Sequence, residues 1–204
     1  MRPLFITGIG TDVGKTVVSA VLVEKLKCDY WKPVQSGDLN DSDTMKVKAL
    51  VSNPVSLFHP ESYRLTQPFS PHKSAALDGV EIDLSKIHIP ETQNQLLVEG
   101  AGGLMVPLND KQLIIDLIGH LQAEVILVVK HYLGSINHTL LSLDTLKHRN
   151  IPVKGIIFNG APDEYSESVI LNYSDTRLLG RIPLVPNLDK ESIKFLAQQI
   201  DTGA

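Results

Sequence analysis

Residues 5–16, Phe-Ile-Thr-Gly-Ile-Gly-Thr-Asp-Val-Gly-Lys-Thr, constrain this chain more than any other stretch. The short apolar run Leu4–Ile6 predicts a buried strand that breaks into a glycine-rich turn. Gly14-Lys15-Thr16 then opens a helix expected over Val17–Lys27. Glycine lets the backbone fold tightly enough for several N–H groups to point at one anion, and a helix N-terminus adds partial positive charge. In such a loop Lys15 bridges the β- and γ-phosphates and the Thr16 hydroxyl ligates Mg²⁺. The common spacing places its first glycine five residues before Gly14, where this chain has Ile9; Gly8 stands six before, so the loop is one residue longer. A glycine-rich turn that binds nothing is the plain alternative. The strand–loop–helix context favours a nucleoside triphosphate site.

A length of 204 residues fits one α/β domain, 1–204, with a large core. The net charge of −4 leaves no basic footprint for nucleic acid. The longest apolar stretches, Val125–Val129 and Leu113–Ile118, are far too short for a membrane span, and no signal-peptide pattern precedes the first strand. Cys28 is the only cysteine, which excludes an internal disulfide and suits a reducing cytoplasm.

Strand-like apolar runs alternate with helical patterns, as a mostly parallel sheet with helices on both faces requires. Strands are expected at Tyr30–Val34, Leu96–Glu99, Val125–Lys130, Val153–Phe158 and Leu178–Ile182. Helices are expected at Leu113–Leu121, Asn137–Arg149, Glu164–Tyr173 and Lys190–Ile200. Residues 37–95 are polar and weakly periodic, with one short helix over Ser42–Leu50 and a rigid turn at Ser70-Pro71-His72.

In such sheets ligands lie beyond the carboxyl ends of the strands, and that rule selects the side chains to weigh. Glu99 ends an apolar strand before four small residues. Burying a carboxylate there is costly unless it is paired or bound to metal, so Glu99 either meets Mg²⁺ beside Thr16 or caps a neighbouring loop. Mg²⁺ favours one or two carboxylates plus phosphate oxygens and water, which makes Thr16, Asp43 and Glu99 a plausible set. Taken alone, Asp43 reads as a helix N-cap. Lys32 lies at a strand end, locked by Pro33, in the same crevice as Lys15. An ammonium there neutralises a γ-phosphate and its acceptor; on a solvated face it would be unremarkable. Ser36 is either a donor to the acceptor or part of an ordinary turn. Gly134-Ser135-Ile136-Asn137 is a helix start, with Asn137 as N-cap in the plain reading and an anion site in the functional one. Asn159 ends a strand, where its amide either reads a base edge or makes a turn.

Together these motifs resemble the dethiobiotin synthetase family along nearly the whole chain. The matching segments run in order: Gly8–Thr16, Lys32-Pro33-Val34-Gln35-Ser36-Gly37, Ser42-Asp43, Ser70-Pro71-His72, Val98–Gly103, Leu133–His138 and Leu179-Gly180-Arg181-Ile182-Pro183. The resemblance implies a ligase that uses ATP, CO₂ and 7,8-diaminopelargonic acid. A substrate amine captures CO₂ as a carbamate, ATP phosphorylates it, and the second amine closes the ureido ring with release of phosphate. It further implies that Thr16, Asp43 and Glu99 hold Mg²⁺, and that Lys15 and Lys32 orient and neutralise the reacting groups. Asp12, Val13, Gly14, Val17, Gly100, Ala101 and Gly102 would line the ATP site, with Asn159, Gly160 and Pro183 holding adenine. Thr11 and Ser36 would contact the diamine or carbamate. The family is a homodimer in which Gly134, Ser135 and Asn137 of one subunit bind the substrate's carboxylate tail in the other's site.

This chain departs from the family's usual Gly-Thr-Asp-Thr-x-Val-Gly-Lys-Thr loop at Ile9 and Gly10, the latter in place of an acidic residue. A ParA/MinD-like ATPase switch is the alternative class. Such switches carry a signature lysine in the loop where this chain has Gly10, and a GTPase would carry an Asn-Lys-x-Asp motif that does not occur here.

Overall fold

The structure is a computed structural model that describes residues 1–203. Its centre is a seven-stranded sheet in the order β4-β2-β6-β1-β7-β8-β9, in which every pairing is parallel. The strands are β1 (Leu4–Gly8), β2 (Asp29–Trp31), β4 (Phe58–His59), β6 (Leu96–Gly103), β7 (Glu124–Val129), β8 (Val153–Asn159) and β9 (Leu178–Ile182). A second sheet holds only β3 (Val34–Ser36) and β5 (Tyr63–Leu65).

Both faces of the large sheet are covered, as the Val/Ile/Leu runs predict. One core joins Ile6, Leu97 and Ile126 to α1 (Lys15–Leu26), α2 (Asp43–Leu50), α6 (Glu164–Ser174) and α7 (Lys190–Gln198) through Val18, Val47, Ile170 and Leu196. The other joins Phe5, Val98 and Val125 to α3 (Pro71–Leu77) and α4 (Ile114–His120) through Ala75 and Leu117. The remaining helix, α5 (Ser135–His148), sends Leu143 to the first core and Leu146 to the second. Val125 through Val129 are fully buried, and each such side chain is worth about 1.5–3 kcal/mol of transfer free energy.

The expected α/β architecture is present, with five local corrections. The stretch Tyr30–Val34 is not one strand: Pro33 lacks a ladder donor, so β2 stops at Trp31, and the chain re-enters as β3 in the small sheet. Lys32 sits at that break. The glycines after Glu99 are not a loop, because β6 continues to Gly103; Glu99 is therefore mid-strand, opposite Ile6 of β1. The N-cap of α2 is Ser42, not Asp43, and Ser42's hydroxyl accepts from the Met45 N–H. Helix α5 starts at Ser135 after a left-handed Gly134, so Asn137 lies inside the first turn and is not its cap. Ser70-Pro71-His72 is the start of α3, with Pro71 in the first turn where a missing N–H costs nothing.

Candidate active site

The glycine-rich loop runs from β1 into α1, which begins at Lys15, two residues before the expected start. Gly14 makes this possible. It sits at φ 90°, and its carbonyl already accepts from the Val18 N–H at 3.0 Å. A Cβ at Gly14 would collide with the Asn159 amide, whose Nδ2 donates to the Val13 carbonyl at 2.8 Å. Asp12 also has a positive φ, 57°, a conformation Asp tolerates better than most residues. No side chain caps the turn, so the first N–H groups of α1 face the crevice with their dipole unopposed.

A cavity of about 610 Å³ opens on this turn. Thr11, Asp12, Gly14, Lys15, Thr16, Lys32, Ser36, Asp43, Glu99, Ala101 and Gly102 all line it, so most of the residues singled out from sequence converge. Val13, Val17 and Gly100 are not part of the lining. Gly134, Ser135 and Asn137 do not reach it: Ser135 is buried, while Gly134 and Asn137 are exposed. Asn159 and Gly160 stand at the end of β8, where the Gly160 N–H donates to the Ile182 carbonyl just before Pro183.

Within the cavity, Lys32 Nζ lies 2.7 Å from Asp43 Oδ2 and 3.2 Å from Glu99 Oε1. Thr16 Oγ1 is 3.2 Å from Asp43 Oδ1 and 3.0 Å from Glu99 Oε1, so its single proton serves one carboxylate at a time. Burial pulls the Lys32 pKa down, but the Glu99 and Asp43 carboxylates outweigh it and hold the ammonium above its ordinary value. Asp43 is the mirror case, raised by burial and lowered further by Lys32. Lys15 differs. Burial lowers its pKa and is not overcome, and its Nζ donates to the Gly10 carbonyl at 3.1 Å. Lys15 and Lys32 do not come from neighbouring strand ends, because β6 with Glu99 runs between β1 and β2.

Oxygens of Thr16, Asp43 and Glu99 thus converge at the cavity wall, where Lys32 already pairs with the two carboxylates. That donor set fits Mg²⁺, which needs only one or two carboxylates when phosphates and water complete its shell. Three further polar groups support it and escaped the sequence reading. Glu99 Oε2 accepts from Ser19 Oγ at 2.7 Å and Tyr30 OH at 3.0 Å, and Gln35 Oε1 accepts from the Asp43 N–H at 3.3 Å. The one trace of them in the sequence is spacing: Ser19 stands three residues after Thr16 on one helix face, and Tyr30 lies in β2 two residues before Lys32.

Fold and loop together define a P-loop nucleotide-binding protein. A family model described as an AAA domain matches residues 2–192. The ATP-dependent dethiobiotin synthetase BioD of Christiangramia forsetii is 52% identical over 198 residues, 97% of this chain and 95% of its own. The enzyme of that name from Cytophaga hutchinsonii is 48% identical over 201 residues, 98% and 97% of the two chains. The chain belongs to the dethiobiotin synthetase family. Among solved structures, a ParA family ATPase from Chlorobium tepidum matches with TM-score 0.60 at 13% identity, covering 97% of this chain and 99% of that one. MinD from Pyrococcus horikoshii, complexed with Mg-ADP, gives 0.59 at 15%, covering 97% and 94%. Those two likenesses show the fold alone.

Proposed function

We propose that this chain catalyses the ATP-dependent closure of the ureido ring of dethiobiotin from 7,8-diaminopelargonic acid and CO₂. The observation that carries the reading is the buried Lys32 ammonium, held between Asp43 and Glu99 at the wall of the cavity that the P-loop also lines. Phosphoryl transfer is mainly positioning and charge stabilisation, and this cluster supplies both.

In this account the first-turn N–H groups of α1 and Lys15 cradle the triphosphate, while the Asn159–Gly160 and Pro183 segment receives adenine. Thr16, Asp43 and Glu99 hold Mg²⁺, which when bound neutralises developing phosphate charge. Thr11 and Ser36 position the diamine, whose amine adds to CO₂ to form a carbamate. Ser36 Oγ is buried without a protein partner, as a donor reserved for substrate would be. Lys32 draws the carbamate oxygen and the γ-phosphate together, so that the oxygen displaces ADP. The second amine then attacks the carbamoyl carbon and phosphate leaves.

The outward-facing Gly134 and Asn137 suit a site completed by a second copy of the chain, with the substrate's carboxylate tail held across the interface. We place the enzyme in the cytoplasm. The lone Cys28, its thiol pushed up to about 12 by burial, is inert and suits a reducing compartment. No helix among the described residues is long and apolar enough to cross a membrane.

Incubation with ATP, Mg²⁺, bicarbonate and 7,8-diaminopelargonate, with and without the diamine, tests the reading. Phosphate release should require the diamine. Release indifferent to it would instead favour a nucleotide switch of the ParA/MinD kind.

A further inference from the structure

Glu99 divides its two oxygens between different surroundings. Oε1 faces the cavity and meets Thr16 and Lys32. Oε2 faces the interior and accepts from Ser19 on α1 and Tyr30 on β2. Both of those residues are fully buried, and they come from separate elements on the same side of the sheet. The carboxylate is therefore clamped at one oxygen from two directions. Rotating it to offer both oxygens to one ion would break two charge-assisted hydrogen bonds and strand two hydroxyls in the core.

That restraint bears on which cation fits. Mg²⁺ takes single carboxylate oxygens at near-octahedral positions, about 2.0–2.1 Å away, whereas Ca²⁺ takes more oxygens at longer range and often chelates a carboxylate through both. We propose that Ser19 and Tyr30 are positioning residues that fix Glu99 as a one-oxygen ligand and so make the site discriminate against Ca²⁺. The inference rests on the reading of Glu99 as a cation ligand. Neither residue touches the cavity, so neither is expected to contact substrate or nucleotide.

The test measures ATP affinity by calorimetry in Mg²⁺, in Ca²⁺ and in EDTA, for the wild type, Ser19→Ala, Tyr30→Phe, the double variant and Glu99→Gln. The ratio of the Ca²⁺ to the Mg²⁺ dissociation constant should narrow by about tenfold in the double variant, as loss of hydrogen bonds to a charged group implies. Affinity in EDTA should stay within about twofold of wild type, since the P-loop contacts are untouched; a merely structural role would lower all three affinities together. Tyr30→Phe keeps the ring and removes one oxygen, so it carries the test alone if the double variant lacks a cooperative thermal transition. Unchanged ratios, with Glu99→Gln abolishing the metal dependence, would overturn the inference and leave the Glu99 reading standing. Metal dependence that persists in Glu99→Gln would overturn both.

Discussion

Asp29 and Glu99 stand on adjacent strands, β2 and β6, and neither is more than 1% exposed. Asp29 Oδ1 accepts from the Leu57 N–H and Asn94 Nδ2, both at 2.9 Å, while Oδ2 accepts from Thr92 Oγ1 at 2.6 Å and faces His59 Nε2 at 3.1 Å. These partners come from the connection before β4, from β4 itself and from the segment before β6, and no lysine or cavity is among them. Glu99, three residues further along the neighbouring strand, meets an ammonium that it shares with a second carboxylate, Asp43, beside open space. Both carboxylates are satisfied, yet only one is satisfied in a way that a ligand can take over. Burial alone does not mark a functional acid; an exchangeable positive partner at a cavity wall does.

The largest effect should come from the charge that makes Glu99 exchangeable. Lys32→Met keeps the packing but removes the ammonium, and ring closure should fall about a thousandfold while ATP affinity stays within about twofold. A near-normal rate would remove Lys32 from the chemistry. On the other side of the comparison, Asp29→Asn replaces an acceptor-only group with one that opposes some of its donors, at a cost of about 3 kcal/mol in chemical denaturation. A change under about 0.5 kcal/mol would show that Asp29 is not a staple. Asn137→Ala should raise the diamine KM about tenfold and leave that for ATP unchanged; wild-type kinetics would detach α5 from the substrate site.

The smallest effect is a pH dependence. Burial pushes the Asp29 carboxyl up, but donors from Thr92, Asn94, Leu57 and His59 outweigh it and hold the pKa below the ordinary value. A depressed folded pKa contributes stability that is complete above about pH 4 and is lost as pH falls through the folded value. Wild-type protein should therefore lose stability more steeply than Asp29→Asn below that pH. Parallel acid-unfolding curves would contradict the staple.

The phosphate end of the molecule was legible because its physics is local. A loop that must bend at Gly14 and a lysine fixed before Pro33 announce themselves within a few residues, and the apolar runs give away the parallel sheet. Residues 37–95 were not, since β4 and β5 are two and three residues long and owe their pairing to strands elsewhere. Ser19, Tyr30 and Gln35 carry no motif beyond the spacing of the first two from Thr16 and Lys32; only folding brings those two to one oxygen of Glu99 and Gln35 to the N–H of Asp43. Asp29 was invisible for the same reason, as its donors lie 28 to 65 residues away.

The contrast between the two acids can be put to one assay, the diamine-dependent release of phosphate per mole of folded Glu99→Gln and Asp29→Asn protein. The account predicts a loss of at least about a hundredfold for the first and a rate within about twofold of wild type for the second. Comparable losses in the two variants, or a greater loss at residue 29, would contradict it.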